Sequence, residues 1–73
     1  CAYCGRELSE RDVTLDHVTA KANGGLTVRE NLVSCCLGCN SSKGHQDWRD
    51  WYRRQYFYDG YREQWIEEWV EKQ

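Results

Sequence analysis

The sequence predicts a small α+β fold in two parts. The N-terminal part has two short strands and a helix and is cross-linked through its cysteines, and the C-terminal part has two helices. Three observations support this prediction. Two Cys-x-x-Cys pairs lie far apart in the chain, and short apolar stretches of strand type lie between them. Nine of the ten aromatic residues fall within residues 46–73, many of them at helical spacing.

The two cysteine pairs predict a metal staple. A chain of 73 residues buries little apolar surface, so its core needs a further source of stability. Thiolates separated by two residues form half of a tetrahedral zinc site, and disulfides, the alternative, favour an even cysteine count and an oxidising compartment. Five cysteines are present. We therefore predict one structural zinc ion held by Cys1, Cys4, Cys36 and Cys39.

Cys35 is the spare cysteine. Pairing it with Cys39 would need a three-residue spacer, whereas Cys36 repeats the two-residue spacer of the first pair. We expect Cys35 to be a small buried side chain on a strand.

Local patterns between and after the cysteine pairs predict the remaining elements of the N-terminal part. Residues 13–15 form a short strand that leads into Asp16 and His17. Residues 21–25 are rich in turn formers and predict a loop, and residues 31–35 predict a second strand. Residues 40–43 should begin a helix.

Residues 46–73 predict two helices separated by Asp59-Gly60, with Asp59 as the N-cap of the second. The aromatic stripes are interpreted as packing on the core, with stacking on unpaired bases as the alternative. The first stripe is Trp48, Trp51, Tyr52 and Tyr56, and the second is Tyr61, Trp65 and Trp69, with Ile66 and Val70 beside it.

Composition limits the function classes. No apolar run could span a membrane, and no secretory segment is present, so we expect no membrane partner. The chain lacks Met and starts on Cys1, which suggests a segment of a longer protein. The net charge of -2 gives no basic face for nucleic acid, although bound cations and flanking sequence would add positive charge.

Asp16 and His17 are the candidate chemical centre. Closing the zinc site brings this pair back against residues 36–43, and so places Asn40 and Lys43 near it. Asp16 and Asn40 offer the oxygen ligands that Mg²⁺ prefers. A neutral His17 beside such an ion can take a proton from water and generate a nucleophile.

An ordered set of motifs in residues 1–45 resembles the HNH endonucleases with a ββα-metal core. The set is Cys-x-x-Cys-Gly, Asp16-His17, Gly24-Gly25, Asn31-Leu32-Val33, Cys36-x-x-Cys39-Asn40 and Lys43-Gly44. Residues 46–57 are also similar to bacterial HNH proteins. The resemblance implies a metal-dependent DNA endonuclease core in residues 1–45 and a helical extension in residues 46–73. It also implies a cytoplasmic protein of bacterial or phage type, with additional domains or subunits that supply DNA specificity.

The resemblance also implies a role for each matching residue. His17 corresponds to the general base, and Asp16 to the carboxylate ligand of the catalytic metal. Asn31 corresponds to the catalytic-motif residue that braces the loop between the strands and orients the His backbone. Asn40 stands where other members have His, so this HNN variant should prefer Mg²⁺ or Mn²⁺.

Four further residues are candidates for binding nucleic acid. Lys43 should face the phosphate backbone near the start of the helix, with a solvated lysine as the alternative. His45 could contact phosphate or serve as an outer ligand, although a surface histidine is the simpler interpretation. Arg29 and Lys21 are phosphate-contact candidates on the loop.

Two alternatives to the endonuclease remain open. A noncatalytic zinc module that binds nucleic acid or a protein partner would use the same four thiolates. It gives no reason for Asp16, His17, Asn31 and Asn40 to stand where they do. A disulfide-stapled secreted domain would carry no zinc after purification.

Overall fold

The computed structural model describes residues 1–72, in which a two-stranded hairpin is followed by three α-helices. Gln73 lies outside the described residues. The strands are β1 (Val13–His17) and β2 (Leu32–Cys36), and the helices are α1 (Leu37–Lys43), α2 (Trp48–Arg53) and α3 (Gly60–Glu71). Two 3-10 turns, Lys21–Asn23 and Arg29–Asn31, lie between the strands. The predicted small α+β fold is confirmed.

The hairpin sets which side chains face α1. β1 and β2 pair antiparallel, with Asp16 opposite Val33 and His17 opposite Leu32. Successive residues of a strand point to opposite faces. Asp16 and Val33 are accordingly buried, 4% exposed each, on the face that α1 covers. His17, the next residue, lies on the other face.

The core forms where α2 packs on the turn that carries the first cysteine pair, Cys1 and Cys4 (the first knuckle). Tyr3 is fully buried and meets Trp51 edge to face, with ring centroids 5.1 Å apart. The hydroxyl of Tyr52 donates to the carbonyl oxygen of Tyr3 at 2.7 Å. Aromatic packing therefore joins residues 1–4 to α2, as the first stripe predicts.

The first aromatic stripe is shorter than predicted. α2 ends at Arg53, and Tyr56 is 99% exposed instead of lying on the buried face. A turn after Tyr52 redirects the chain, and Phe57 takes the place expected of Tyr56 by packing against Trp51. The helical spacing of the aromatic residues does not reveal such a turn, so the predicted stripe extends too far, to Tyr56.

α3 begins as predicted but buries a different stripe. The carboxylate of Asp59 accepts from the backbone N–H of Tyr61 at 2.8 Å, so the N-cap is confirmed. Ile66 is fully buried, whereas Tyr61 and Trp65 are 88% and 53% exposed. The prediction that Tyr61 and Trp65 pack in the core is wrong, because the neighbouring stripe through Ile66 takes the inner face. Trp69 is half-buried and donates through Nε1 to the Leu32 carbonyl at 3.1 Å.

None of the helices in residues 1–72 has the length and apolar character needed to cross a bilayer.

Candidate functional site

Four cysteine sulfur atoms converge beside the hairpin. The Sγ atoms of Cys1, Cys4, Cys36 and Cys39 lie within 4.8 Å of one another, and none is in a disulfide. Zn–S bonds of about 2.3 Å in tetrahedral geometry place the sulfur atoms about 3.8 Å apart. Cys4 and Cys36 have Sγ atoms 4.0 Å apart. The cluster therefore fits one tetrahedral zinc ion.

Backbone amides support this cluster in the same way in both knuckles. The N–H of Cys4 donates to the Sγ of Cys1 at 3.5 Å, and the N–H of Cys39 donates to the Sγ of Cys36 at 3.4 Å. N–H donors stabilise the thiolate form that a metal requires. The matching geometry follows from the matching two-residue spacers.

Cys35 stands outside the cluster, as its spacing predicts. It is fully buried, and its thiol donates to the Cys36 carbonyl at 3.3 Å. Burial, and then the negative charge of Asp16, raise the pKa of Cys35 to about 12. Cys35 thus remains a neutral thiol.

The carboxylate of Asp16 is held by two donors inside the fold. The Tyr3 hydroxyl donates to its Oδ2 at 2.6 Å, and the Lys43 ammonium lies 3.2 Å from the same oxygen. Burial, and then the nearby Asp16 charge, raise the pKa of the Tyr3 phenol, so Tyr3 remains a donor. The Tyr3 hydroxyl and the Lys43 ammonium therefore already supply the Asp16 carboxylate with a hydrogen bond and an opposite charge.

Lys43 differs from its predicted role. Its side chain is fully buried and so is not a solvated surface lysine, and its ammonium also donates to the His17 carbonyl at 2.9 Å. The predicted phosphate contact is therefore corrected to an internal ion pair. Burying the ammonium is tolerable because Asp16 supplies the opposite charge. The pair ties the end of α1 to the end of β1.

His17 is half-buried at the end of β1, on the opposite face from the Asp16 side chain. Its Nε2 lies 3.0 Å from Thr27 Oγ1, and the tautomer decides which atom donates. Within residues 1–72, no hydrogen bond joins the imidazole to Asp16 or Asn40. Lys43 joins the Asp16 carboxylate to the His17 carbonyl, whereas the side chains of Asp16 and His17 lie on opposite faces of β1.

Asn40, on α1, lies against β1. Its Nδ2 donates to Thr14 Oγ1 at 3.0 Å and to the Leu15 carbonyl at 3.3 Å. Both bonds use the amide nitrogen, so Oδ1 is left without a protein donor among the described residues. An oriented neutral oxygen of this kind fits a hard divalent cation. The Asp16 carboxylate is already paired with Lys43, so a divalent ion that used its oxygens would have to displace this internal cation.

Asn31 organises the loop that follows His17. It is fully buried; its Oδ1 accepts from the Thr19 N–H at 2.9 Å, and its Nδ2 donates to the carbonyls of Thr19 and Leu26 at 3.0 and 2.9 Å. The loop is also tight at Gly25, where a Cβ would lie 1.7 Å from the Thr19 carbonyl oxygen. A single amide thus joins both ends of the loop beside the histidine.

Replacing Asn31 by Ala should destabilise the domain by about 3 kcal/mol, because three buried hydrogen bonds of about 1 kcal/mol each are lost. Urea unfolding of the zinc-loaded protein measures this change. Asn23→Ala is the matched control, since Asn23 is exposed and makes one bond, from Nδ2 to the His45 carbonyl at 2.7 Å. Equal midpoints for the two variants would show that Asn31 does not brace the loop.

The other predicted nucleic-acid contacts lie on the surface. Lys21, Arg29 and His45 are all exposed. The Arg29 guanidinium lies 5.9 Å from the centre of the Trp69 ring, in a cation–π contact. Sequence reasoning missed Tyr3 and Thr27, which hold the side chains of Asp16 and His17, and no spacing pattern marks either residue.

Comparison with known proteins shows the family of this chain. A family described as HNH endonuclease matches residues 1–51. The CRISPR-associated endonuclease Cas9 of Corynebacterium diphtheriae is 42% identical over 52 residues, which are 70% of this chain and 5% of that protein. Cas9 of Actinomyces naeslundii is 36% identical over 52 residues, with the same coverage. The chain spans a small fraction of these relatives, and no solved structure matches significantly. As the resemblance predicted, the chain belongs to the HNH endonuclease family.

Proposed function

We propose that this chain is a nuclease domain that hydrolyses phosphodiester bonds in DNA, with His17 as the general base. The observation that carries the proposal is an accessible imidazole, fixed through both its ring and its backbone, in a chain of this family. Thr27 holds Nε2, and Lys43 holds the His17 carbonyl. When Nε2 donates to Thr27, Nδ1 carries the free lone pair that accepts a proton from water.

The neighbouring residues support His17 by positioning it. The Val18 N–H donates to the Asn31 carbonyl at 2.9 Å, and the Asn31 side chain fixes Thr19. The two peptide groups that follow His17 are thus held. A base that is fixed before substrate arrives needs little reorganisation during the reaction.

A catalytic divalent ion would be held by Asn40 and Asp16, together with phosphate and water oxygens. Bound there, Mg²⁺ or Mn²⁺ would stabilise the negative charge that develops on the phosphate. Asn40 already presents a free Oδ1, whereas Asp16 would first have to release the Lys43 ammonium. We therefore assign no step of the reaction to the ion and leave to His17 the proton transfer that its geometry supports.

DNA is proposed as the substrate because the relatives are Cas9 endonucleases and because the charge is unevenly distributed. Residues 1–45 contain five basic and five acidic residues, so the whole acidic excess lies in residues 46–73. The nuclease core is therefore electrically neutral overall. We further propose that residues 46–73 are a helical extension of this core, and that a longer cytoplasmic bacterial protein supplies domains that select the DNA.

The second candidate is a noncatalytic zinc module. One observation favours it: the carboxylate that a catalytic ion needs is already neutralised by Lys43. Such a module would retain zinc and could bind DNA, but it would leave every phosphodiester bond intact. A cleavage assay therefore separates the two candidates.

We expect the zinc-loaded protein to nick supercoiled plasmid when Mg²⁺ or Mn²⁺ is added, and not without added ion. Asn40→Ala should slow nicking by about 10²-fold, because it removes the oriented amide oxygen. Ser41→Ala is the control, since Ser41 is the exposed neighbour on α1. Gel electrophoresis of the plasmid measures both rates. If neither ion supports nicking of double- or single-stranded DNA, the noncatalytic module is the correct description.

A further inference from the structure

We propose that Arg6 and Arg11 form a second anion site, which holds a DNA backbone phosphate beside the phosphodiester bond that is cut. Neither residue was among the predicted nucleic-acid contacts. This inference rests on the proposed function, because the ligand is the DNA strand that the nuclease acts on. In addition to the proposed function, Arg6 and Arg11 would bind the DNA strand at a place away from His17.

The two arginines line one cleft. The cleft has a volume of ≈ 180 Å³ and lies between the loop after the first knuckle, the start of β1 and the start of α1. Both residues are exposed, and within residues 1–72 neither has a carboxylate at ion-pair distance. Arg53 and Arg62, in contrast, are paired with Glu63 and Asp59. Two uncommitted guanidinium groups facing one cleft are suited to a phosphate, which guanidinium binds through paired N–H donors.

Most of the charged side chains that line the cleft are basic. Asp12 is the acidic residue of the lining, and one of its oxygens accepts from the Ser9 hydroxyl at 2.9 Å. Apart from the cysteine cluster that Cys36 belongs to, the lining carries two positive charges and one negative charge that is already hydrogen-bonded. Leu37, 66% exposed at the same cleft, offers an apolar surface for a deoxyribose ring.

Thr14 connects this cleft to the proposed active site. Its side chain lines the cleft, and its Oγ1 accepts from Asn40 Nδ2 at 3.0 Å while donating to the Cys35 carbonyl at 2.7 Å. Asn40 presents the free oxygen proposed for the catalytic ion. A strand whose phosphate lies at Asn40 would therefore place a neighbouring phosphate near Arg6 and Arg11.

A structural role for Arg6 is the competing explanation. Cys36 also lines the cleft, and a cation there would offset the negative charge of a zinc ion bound by four thiolates. That role requires Arg6 for zinc retention and gives Arg11 no function. The two explanations therefore differ in zinc content and in the behaviour of Arg11.

The test measures the affinity of the zinc-loaded 73-residue protein for a short labelled DNA duplex at several salt concentrations, without added divalent ion. Each phosphate contact contributes about 0.9 to the slope of log K against log salt. The double variant Arg6→Gln/Arg11→Gln should reduce the magnitude of that slope by about 1 and weaken low-salt binding by about tenfold or more, equally for unrelated sequences. The matched control is Arg53→Gln/Lys72→Gln, which removes the same charge from α2 and the end of α3.

Three outcomes would overturn the proposal: an unchanged slope in the Arg6/Arg11 variant, an equal fall in the control, or loss of zinc on Arg6→Gln while Arg11→Gln alone binds DNA normally. The nicking rate of the parent protein separates this inference from the proposed function. A parent that cuts DNA with an unchanged slope in the variant disproves only the anion site. A parent that neither binds nor cuts DNA disproves both.

Discussion

His17→Ala should lower the rate of DNA nicking by about 10² to 10⁴-fold, the contribution typical of a positioned general base. The side chain lies at the end of β1 and contacts Thr27, away from the buried ion pair, so its removal should leave the fold intact. Zinc content and the far-UV circular dichroism spectrum should match those of the parent protein. The nicking rate is measured on supercoiled plasmid with Mg²⁺ or Mn²⁺ added.

Thr27→Ala is the informative companion to this variant. It keeps the imidazole but removes the oxygen 3.0 Å from Nε2, so the ring loses its fixed orientation. We expect a smaller loss of rate, about tenfold, because the base remains present but is less well positioned. If His17→Ala nicks DNA as fast as the parent, the base is another group. If Thr27→Ala loses as much rate as His17→Ala, orientation of the ring dominates the effect.

The ion pair between Asp16 and Lys43 changes how the proposed site should be understood. The sequence places a carboxylate and a lysine near one another, and from the sequence the carboxylate is predicted to bind a metal and the lysine to contact DNA. In the fold they neutralise each other, 3.2 Å apart, with both side chains buried. A divalent ion that takes the Asp16 oxygen must compete with an internal cation. Metal binding and release of Lys43 are therefore linked in any mechanism that uses Asp16.

Local patterns predicted the parts of the fold that depend on local chemistry. The equal spacers of the cysteine pairs identified Cys36 over Cys35, and Asp59 was recognised as an N-cap from its position before Gly60. Alternation along β1 explains why Asp16 is buried while His17 stays accessible. These features need only neighbouring residues, and the sequence carries that information directly.

Features that depend on distant partners were missed for physical reasons. The sequence predicts Lys43 near the start of a helix and facing DNA, whereas it is the last residue of α1, and only the folded hairpin shows the carboxylate that allows its burial. On α3, the stripe through Trp65 and the one through Ile66 are both apolar, and the shape of the core selects Ile66. Tyr3 lies between Cys1 and Cys4, where any residue type would satisfy the motif.

The zinc cluster should control both stability and the active site, which adjacent cysteines can test. Cys36→Ala should lose zinc and unfold, because structural zinc binding of about 10–16 kcal/mol is comparable with the whole stability of a small domain, about 5–15 kcal/mol. Cys35→Ala should keep its zinc and lose about 1 kcal/mol, since it removes one buried sulfur outside the cluster. Metal analysis and thermal unfolding measure both effects.

Tyr3 connects the cysteine cluster to the proposed active site. It lies between Cys1 and Cys4, and its hydroxyl donates to Asp16 at 2.6 Å. Removing zinc from the parent protein with a chelator should therefore release Tyr3 from the core and free the Asp16 carboxylate at the same time. The near-UV circular dichroism of the aromatic core should be lost together with zinc, in a single transition. A Cys36→Ala protein that retains one zinc ion per chain would show that Cys35 replaces it as a ligand. A zinc-free protein with an intact aromatic signal would show that the core, and not the metal, positions Asp16.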